Sequence, residues 1–401
     1  MRTPHAGSPV PISSPVADFS SVSQQTAEET EPKPPVFSAD ALDADSSSYR
    51  RSEYLFVNNV RYLSMIAVVW VHSELLWGWE AIGASRHVQA VLFHLMRFGT
   101  IGFFLIAGFL LGAGLSRDSP RQYFYRRFKA VFVPWILWGF LWFVVALSYD
   151  LLEGSHAGSL RYSLRLVVGQ YFQFIFTRSI YWYVPNFFLS MAIVIWLYRR
   201  VPDYVQGAVF LAMSLFYGVN VYLEIIPTRH TSALLGFVFY LWLGCFAYKH
   251  REAWIRWLSR TSWLQLIVYT SIAGGLALVE IHVLRRVNPH SGDSANVLRI
   301  ANQAYAVLVV LMIVKWRRAL YPAVINVRDE TFGIFLIHPI LIEIFRVAGA
   351  HLPASTRMRF LTSGPLVILL AVVGFATLYI SALIVTKQIR KVSSLRWLVG
   401  R

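Results

Sequence analysis

The sequence predicts an all-α, polytopic membrane bundle of about ten transmembrane helices with both termini cytoplasmic. Three observations carry that expectation. Of the 401 residues, 56% are hydrophobic and only 14% charged, with a mean hydropathy of +0.51; a soluble chain carries about a quarter charged residues. The hydrophobic residues also fall into blocks near the ~20 residues that a helix needs to cross a hydrocarbon core. Finally, Lys and Arg gather in short runs between those blocks, as at Arg126, Arg127 and Lys129, or Lys315, Arg317 and Arg318. Runs of this kind fix the orientation of a membrane protein. They account for the net charge of +16, so membrane lipids are expected partners and nucleic acid is not. The single cysteine, Cys245, excludes an intrachain disulfide and a multi-cysteine metal site.

Residues 1–53 are rich in Ser, Pro, Ala and acidic groups without an apolar period, and read as a disordered cytoplasmic tail. They lack the basic start and short apolar core of a cleaved signal peptide. Residues 54–390 form the membrane domain and 391–401 a cytoplasmic end. The expected spans are 57–77, 88–112, 130–149, 183–199, 206–223, 231–248, 262–283, 299–316, 330–348 and 363–386. With the N-terminus inside, about twenty-two Lys and Arg flank cytoplasmic ends and about ten face outward.

The first span, within NNVRYLSMIAVVWVHSELLW, holds Arg61 and His72. Ionisable groups are expensive in a bilayer, which makes each a functional candidate. Eleven helical steps bring the chain back to within about 20° of its starting face, and roughly 16 Å along the axis. The two side chains therefore share a face, with Arg61 near one surface and His72 deep. A cation above a titratable imidazole suits a long anionic ligand whose reactive end reaches inward. His72 can serve as general base toward a hydroxyl or as nucleophile toward a thioester. Glu74 lies too far round the helix to face it, so a partner for its second nitrogen must come from another span.

The second span, within FHLMRFGTIGFFLIAGFLLG, places Arg97 near the depth of His72, where it can orient an acceptor or stabilise a developing oxyanion. Its glycines let helices approach closely. The run YFYRRFKAVFVPW leads into the third span. It anchors the cytoplasmic side and offers Arg127 and Lys129, with Arg61, to the phosphates of a coenzyme. The 150–182 loop is aromatic and basic. It reads as an interfacial helix on lipid headgroups or as a platform over an outward-facing acceptor site. In TFGIFLIHPI, Pro339 frees a backbone carbonyl beside His338. Glu343 and Arg346 are spaced for a structural ion pair. Gly292, Asp293 and Ser294 match an esterase motif only in outline, since a loop of about fifteen residues cannot house such a domain.

Five segments occur in order: the Arg-to-His spacing of the first span, FGTIGFFLIAGFLL, RRFKAVFVP, YWYVPNFFLS and TFGIFLIHPI. Over about residues 54–386 the chain resembles the acyltransferase-3 family of bacterial integral-membrane acyltransferases. The resemblance implies transfer of an acyl group, commonly acetyl, from cytoplasmic acyl-CoA to a hydroxyl of a carbohydrate or glycolipid outside the inner membrane, without a metal. Glycan-assembly proteins are further expected partners. It assigns His72 and Arg61 to the family's essential pair and Arg127 to its basic motif. Where many members carry arginine in the second basic slot, this chain has Ala130 beside Lys129. Trp182 and Tyr183 match the family's aromatic pair, expected at the substrate, with Ile180 where a histidine often stands. His338 matches a late motif with a supporting role. The competing expectation is a flippase for a lipid-linked sugar. Such a protein tends to carry broken helices in paired positions, whereas here the polar groups concentrate in the first three spans.

Overall fold

The computed structural model describes residues 55–74, 85–152, 180–229, 233–287, 295–350, 355–356 and 363–400. The expected tail, the middle of the 150–182 loop and the Gly292–Ser294 triplet lie outside the described residues. Every regular element among those described is helical. In chain order they are α1 (Leu55–Ser73), α2 (Ser85–His94), α3 (Gly99–Leu115), α4 (Pro120–Leu152), α5 (Tyr183–Leu197) and α6 (Asp203–Leu223). Then follow α7 (Val238–Lys249), α8 (Arg251–Arg260), α9 (Trp263–Val287), α10 (Ile300–Lys315), α11 (Val327–Ala350) and α12 (Gly364–Lys391). Short 3₁₀ turns at Leu95–Phe98 and Ile180–Trp182 lead into α3 and α5, and another, Ser393–Val399, follows α12.

Seven stretches among the described residues are long and apolar enough to cross a membrane: Leu55–Ser73, Val91–Leu115, Pro120–Val145, Ile180–Leu197, Asp203–Leu223, Trp263–Val287 and Gly364–Lys391. The other three expected spans also coincide with helices. However, α7 and α10 have only 12 and 16 residues, and α11 opens on Arg328, Asp329 and Glu330. The chain is a multi-pass membrane protein. Its outer surface carries large exposed apolar side chains, for example Ile136, Leu137, Phe140 and Leu141 along α4, as a lipid-facing surface requires.

Helix α3 is apolar all round and correspondingly buried, with Ile101 and Phe104 fully enclosed. It crosses α7 backbone to backbone. A Cβ added at Gly108 would lie 1.9 Å from the Leu241 carbonyl oxygen, and one at Gly244 would lie 2.0 Å from that of Leu105. Small residues at this crossing replace the hydrophobic drive that lipid removes with close van der Waals contact.

Lipid offers polar groups no partner, and two polar clusters inside the bundle take theirs from the protein itself. At the start of α1, buried Asn59 donates to the Arg318 carbonyl at 2.8 Å and accepts the Leu320 N–H at 2.9 Å. This ties α1 to the segment ahead of α11. At the opposite end, fully buried Arg299 donates to the carbonyls of Asn296 at 3.0 Å and Ala277 at 2.7 Å, and pairs with Glu280 at 3.6 Å. Glu280 also accepts from the Tyr222 hydroxyl and the Ala301 N–H. Glu343 and Arg346 form the expected pair, at 2.8 Å.

Candidate active site

Helices α1, α3, α4, α5 and α11 surround a cavity of about 930 Å³. One end holds Arg61, Tyr123 and Arg127; the other is lined by Arg97, Glu74, Thr228 and Arg229. His72, Trp182 and Tyr183 stand between, with an apolar wall from Phe103, Ala107, Leu110 and Val131. Six sequence-selected residues, Arg61, His72, Arg97, Arg127, Trp182 and Tyr183, thus line one space. Lys129 does not. It is exposed on α4, because two residues beyond Arg127 its side chain points about 200° away around the helix.

The partner that His72 requires is His338. His72 Nδ1 and His338 Nε2 are 3.0 Å apart. The ring planes differ by 11° and the centroids are 5.2 Å apart, a separation equal to the nitrogen–nitrogen distance plus two ring radii. The imidazoles therefore lie edge to edge in nearly one plane and do not stack face to face. On the far side, His338 Nδ1 sits 3.0 Å from the Ile334 carbonyl oxygen. A carbonyl only accepts, so this nitrogen carries the hydrogen. His338 is fully buried, where a neutral ring avoids the cost of an enclosed charge. Its Nε2 then accepts, His72 Nδ1 donates, and the lone pair of His72 is left on Nε2. Pro339, inside α11, removes the N–H that would bond the Phe335 carbonyl and loosens the turn that holds His338.

Arg97 sits in the 3₁₀ turn ahead of α3 and donates from Nε to Nδ1 of buried His94 at 3.1 Å. The aromatic motif is positioned by a residue that the sequence reading passed over. Tyr181, fully buried, donates its hydroxyl to the Leu336 carbonyl at 2.6 Å, and its own carbonyl accepts from Trp135 Nε1 at 3.0 Å. Pinned between α4 and α11, the turn presents Trp182 and Tyr183 to the cavity. Tyr183 packs edge-on against Phe104 and Phe335, and Trp182 rests on Phe237.

Arg127 is half-buried, and its Nε donates to the Tyr123 hydroxyl at 3.3 Å. Its guanidinium lies over the Tyr123 ring, 5.5 Å from the centroid. Arg61 is half-buried one helix away, and Arg127, Arg328 and Asp329 are the charged groups that act on it. Among the described residues no three His, Cys, Asp or Glu side chains are grouped as a metal site needs.

A family model for an acyltransferase domain matches residues 54–386, most of the chain. The chain belongs to the acyltransferase-3 family. Together with its apolar helices, this makes it a membrane acyltransferase. No curated protein matches the chain, and no solved structure does.

Sequence reasoning missed Arg299, because an arginine at the edge of a span looks the same whether it faces a loop or a core, and Glu280, although its place inside the 262–283 span was a signal for it. It also missed Tyr181, whose backbone role depends on tertiary contacts, and Arg229, which lies between helices and carries no motif.

Proposed function

We propose that the protein is an O-acyltransferase of the bacterial inner membrane that moves an acyl group, most simply acetyl, from cytoplasmic acyl-CoA to a hydroxyl of an extracytoplasmic glycan or glycolipid. The observation that carries this reading is the His72–His338 pair in a cavity with arginines at both ends. Arg61 and Arg127 hold the phosphates of the donor by charge-assisted hydrogen bonds. The pantetheine arm follows the apolar wall toward His72, over the roughly 16 Å that eleven helical residues span. The acceptor enters from the opposite end, its sugar ring against Trp182 and Tyr183.

His72 Nε2 takes the proton of the acceptor hydroxyl as its oxygen attacks the thioester carbonyl carbon. Its Nδ1–H remains on His338, which fixes the ring and its tautomer. Negative charge develops on the carbonyl oxygen, where Arg97 stabilises it. The intermediate then collapses, the C–S bond breaks, and the proton on Nε2 passes to the departing sulfur. An ester and free CoA result, and the imidazole returns to neutrality. Holding both reactants at one point supplies much of the rate gain.

The test is thioester consumption by the solubilised full-length protein. Acetyl-CoA should yield free CoA and an acetylated product when an envelope glycan fraction is added. A flippase would translocate a lipid-linked sugar and leave the thioester intact. Mass analysis of envelope glycans with and without the gene identifies the acceptor.

A further inference from the structure

We infer that Arg328 is a third phosphate ligand for the nucleotide end of acyl-CoA, contributed by α11 to the mouth formed by Arg61 and Arg127. The inference rests on the acyl-CoA reading above and adds a residue that no motif marks.

Its first basis is helical phase. Thr331, Phe332 and Phe335 of α11 all line the cavity. Arg328 precedes them by three, four and seven residues, the spacing of one helical face. It therefore continues that stripe by one turn beyond the cavity lining, exposed at the end where Arg61 stands. The electrostatic surroundings agree, since Arg328 and Arg127 are the like charges acting on Arg61.

The second basis is charge balance. Arg328 is exposed, and among the described residues it belongs to no ion pair. The carboxylates beside it are already engaged. Asp329 pairs with Arg390 at 2.9 Å, and Glu330 faces Lys387 at 3.9 Å and accepts the Asn326 N–H at 3.1 Å. Among the described residues, these arginines of α1, α4 and α11 form no ion pair, and the carboxylate that acts on Arg61, Asp329, is held by Arg390. Like charges repel at such a site until an anion joins them. The nucleotide end of CoA carries a diphosphate and a separate ribose phosphate, and guanidinium groups match phosphate oxygens in pairs.

The third basis is what α4 lacks. Its second basic slot is Ala130, and helical phase turns Lys129 about 200° away from Arg127. Arg328 places a cation at the same mouth from a different helix.

The experiment compares wild type with Arg328→Ala, Arg328→Lys and Arg61→Ala as detergent-solubilised full-length proteins, so that both ends of the cavity are open to solution. Donors are acetyl-CoA and S-acetylpantetheine, which lacks the nucleotide end. Arg328→Ala should raise the KM for acetyl-CoA roughly ten- to hundredfold with little change in kcat, the loss expected for a charge-assisted phosphate contact. The KM for S-acetylpantetheine should stay at the wild-type value, and Arg328→Lys should recover part of the acetyl-CoA affinity. An unchanged acetyl-CoA KM in Arg328→Ala, with a raised one in Arg61→Ala, overturns the role of Arg328 and leaves the acyl-CoA reading standing. An equal rise for both donors means a structural effect and also overturns it. Wild-type protein that consumes neither thioester overturns both.

Discussion

His72 and His338 meet nitrogen to nitrogen at 3.0 Å although 266 positions separate them in sequence. The contact joins α1 to α11 and hands on a hydrogen-bond direction that begins at the Ile334 carbonyl. An imidazole alone can place its hydrogen on either ring nitrogen. Here the carbonyl, through His338, chooses for it. The nitrogen left with the lone pair is the one required of a general base.

His72→Ala should abolish acyl transfer, by roughly 10²- to 10⁴-fold where general base catalysis carries the step, while the protein remains inserted and folded. His72 is half-buried at a cavity wall, so truncation enlarges an existing space. Acceptor acylation is measured in membranes with protein level followed in parallel. Turnover near wild type in a well-expressed variant would falsify the catalytic assignment.

His338→Ala should lower kcat by up to about a hundredfold, the scale of losing a positioning contact, and leave the acyl-CoA KM unchanged. His338→Gln is the informative companion. Its amide oxygen can accept the His72 Nδ1–H, so it should recover part of the rate. Equal kcat values in the two variants, with matched folding by thermal melting, would argue that His338 only fills space.

Arg61→Ala and Arg127→Ala should act on donor affinity and Arg97→Ala on turnover. Loss of a charge-assisted bond to phosphate costs on the order of 1.5–3 kcal/mol, roughly ten- to hundredfold in the acyl-CoA constant. Steady-state kinetics with acetyl-CoA as varied substrate separates the two classes. Unchanged affinity in both cavity-mouth variants would contradict phosphate docking there.

The fold was legible wherever hydropathy alone decides, in long apolar blocks such as Gly364–Lys391 and Val91–Leu115. It was less so at α7, α10 and α11, which are short or open on charged residues. Within a helix, spacing told the truth about faces, and Arg61 and His72 do line the same cavity. Lys129 adjoins Arg127 in sequence, but helical phase turns it away. The His72–His338 contact joins helices far apart in the chain, and no local period encodes it. Local reading established that His72 needs a partner from another span; only tertiary structure names it.

The α3–α7 crossing can be tested through stability. Gly108→Val or Gly244→Val drives a side chain into the facing backbone, and overpacking of this kind costs at least about 1–3 kcal/mol. Thermal melting in detergent should show a clearly lowered Tm for each. Gly275→Ala is the control, since an added Cβ there meets nothing within 4 Å. A Tm equal to the control in both valine variants would mean that the crossing is looser than described.

Sidedness follows from thiol labelling. With Cys245→Ala as background, cysteines at Ser155 and Ser394 are exposed in turn to a membrane-impermeant reagent on cells whose outer membrane has been made permeable. Ser155→Cys should react and Ser394→Cys should not, since arginine and lysine weight the Ser394 side toward the cytoplasm. The opposite pattern would invert the topology and move Arg61 and Arg127 away from the acyl-CoA pool. Labelling of both would require an odd number of spans.

The glycine crossing also makes α3 and α7 one rigid pair. With backbone against backbone at Gly108 and Gly244, α3 and α7 have no compressible layer between them and shift only as one body. The cavity wall that α3 supplies, from Phe103 to Leu110, is therefore a fixed gauge for whatever lies along it. Helix α4 stands opposite, touching α3 only sparsely, with its outer face toward lipid. Extra room for a bulkier ligand has to come from walls other than α3, and α4 is itself tied back to the Tyr181 carbonyl through Trp135.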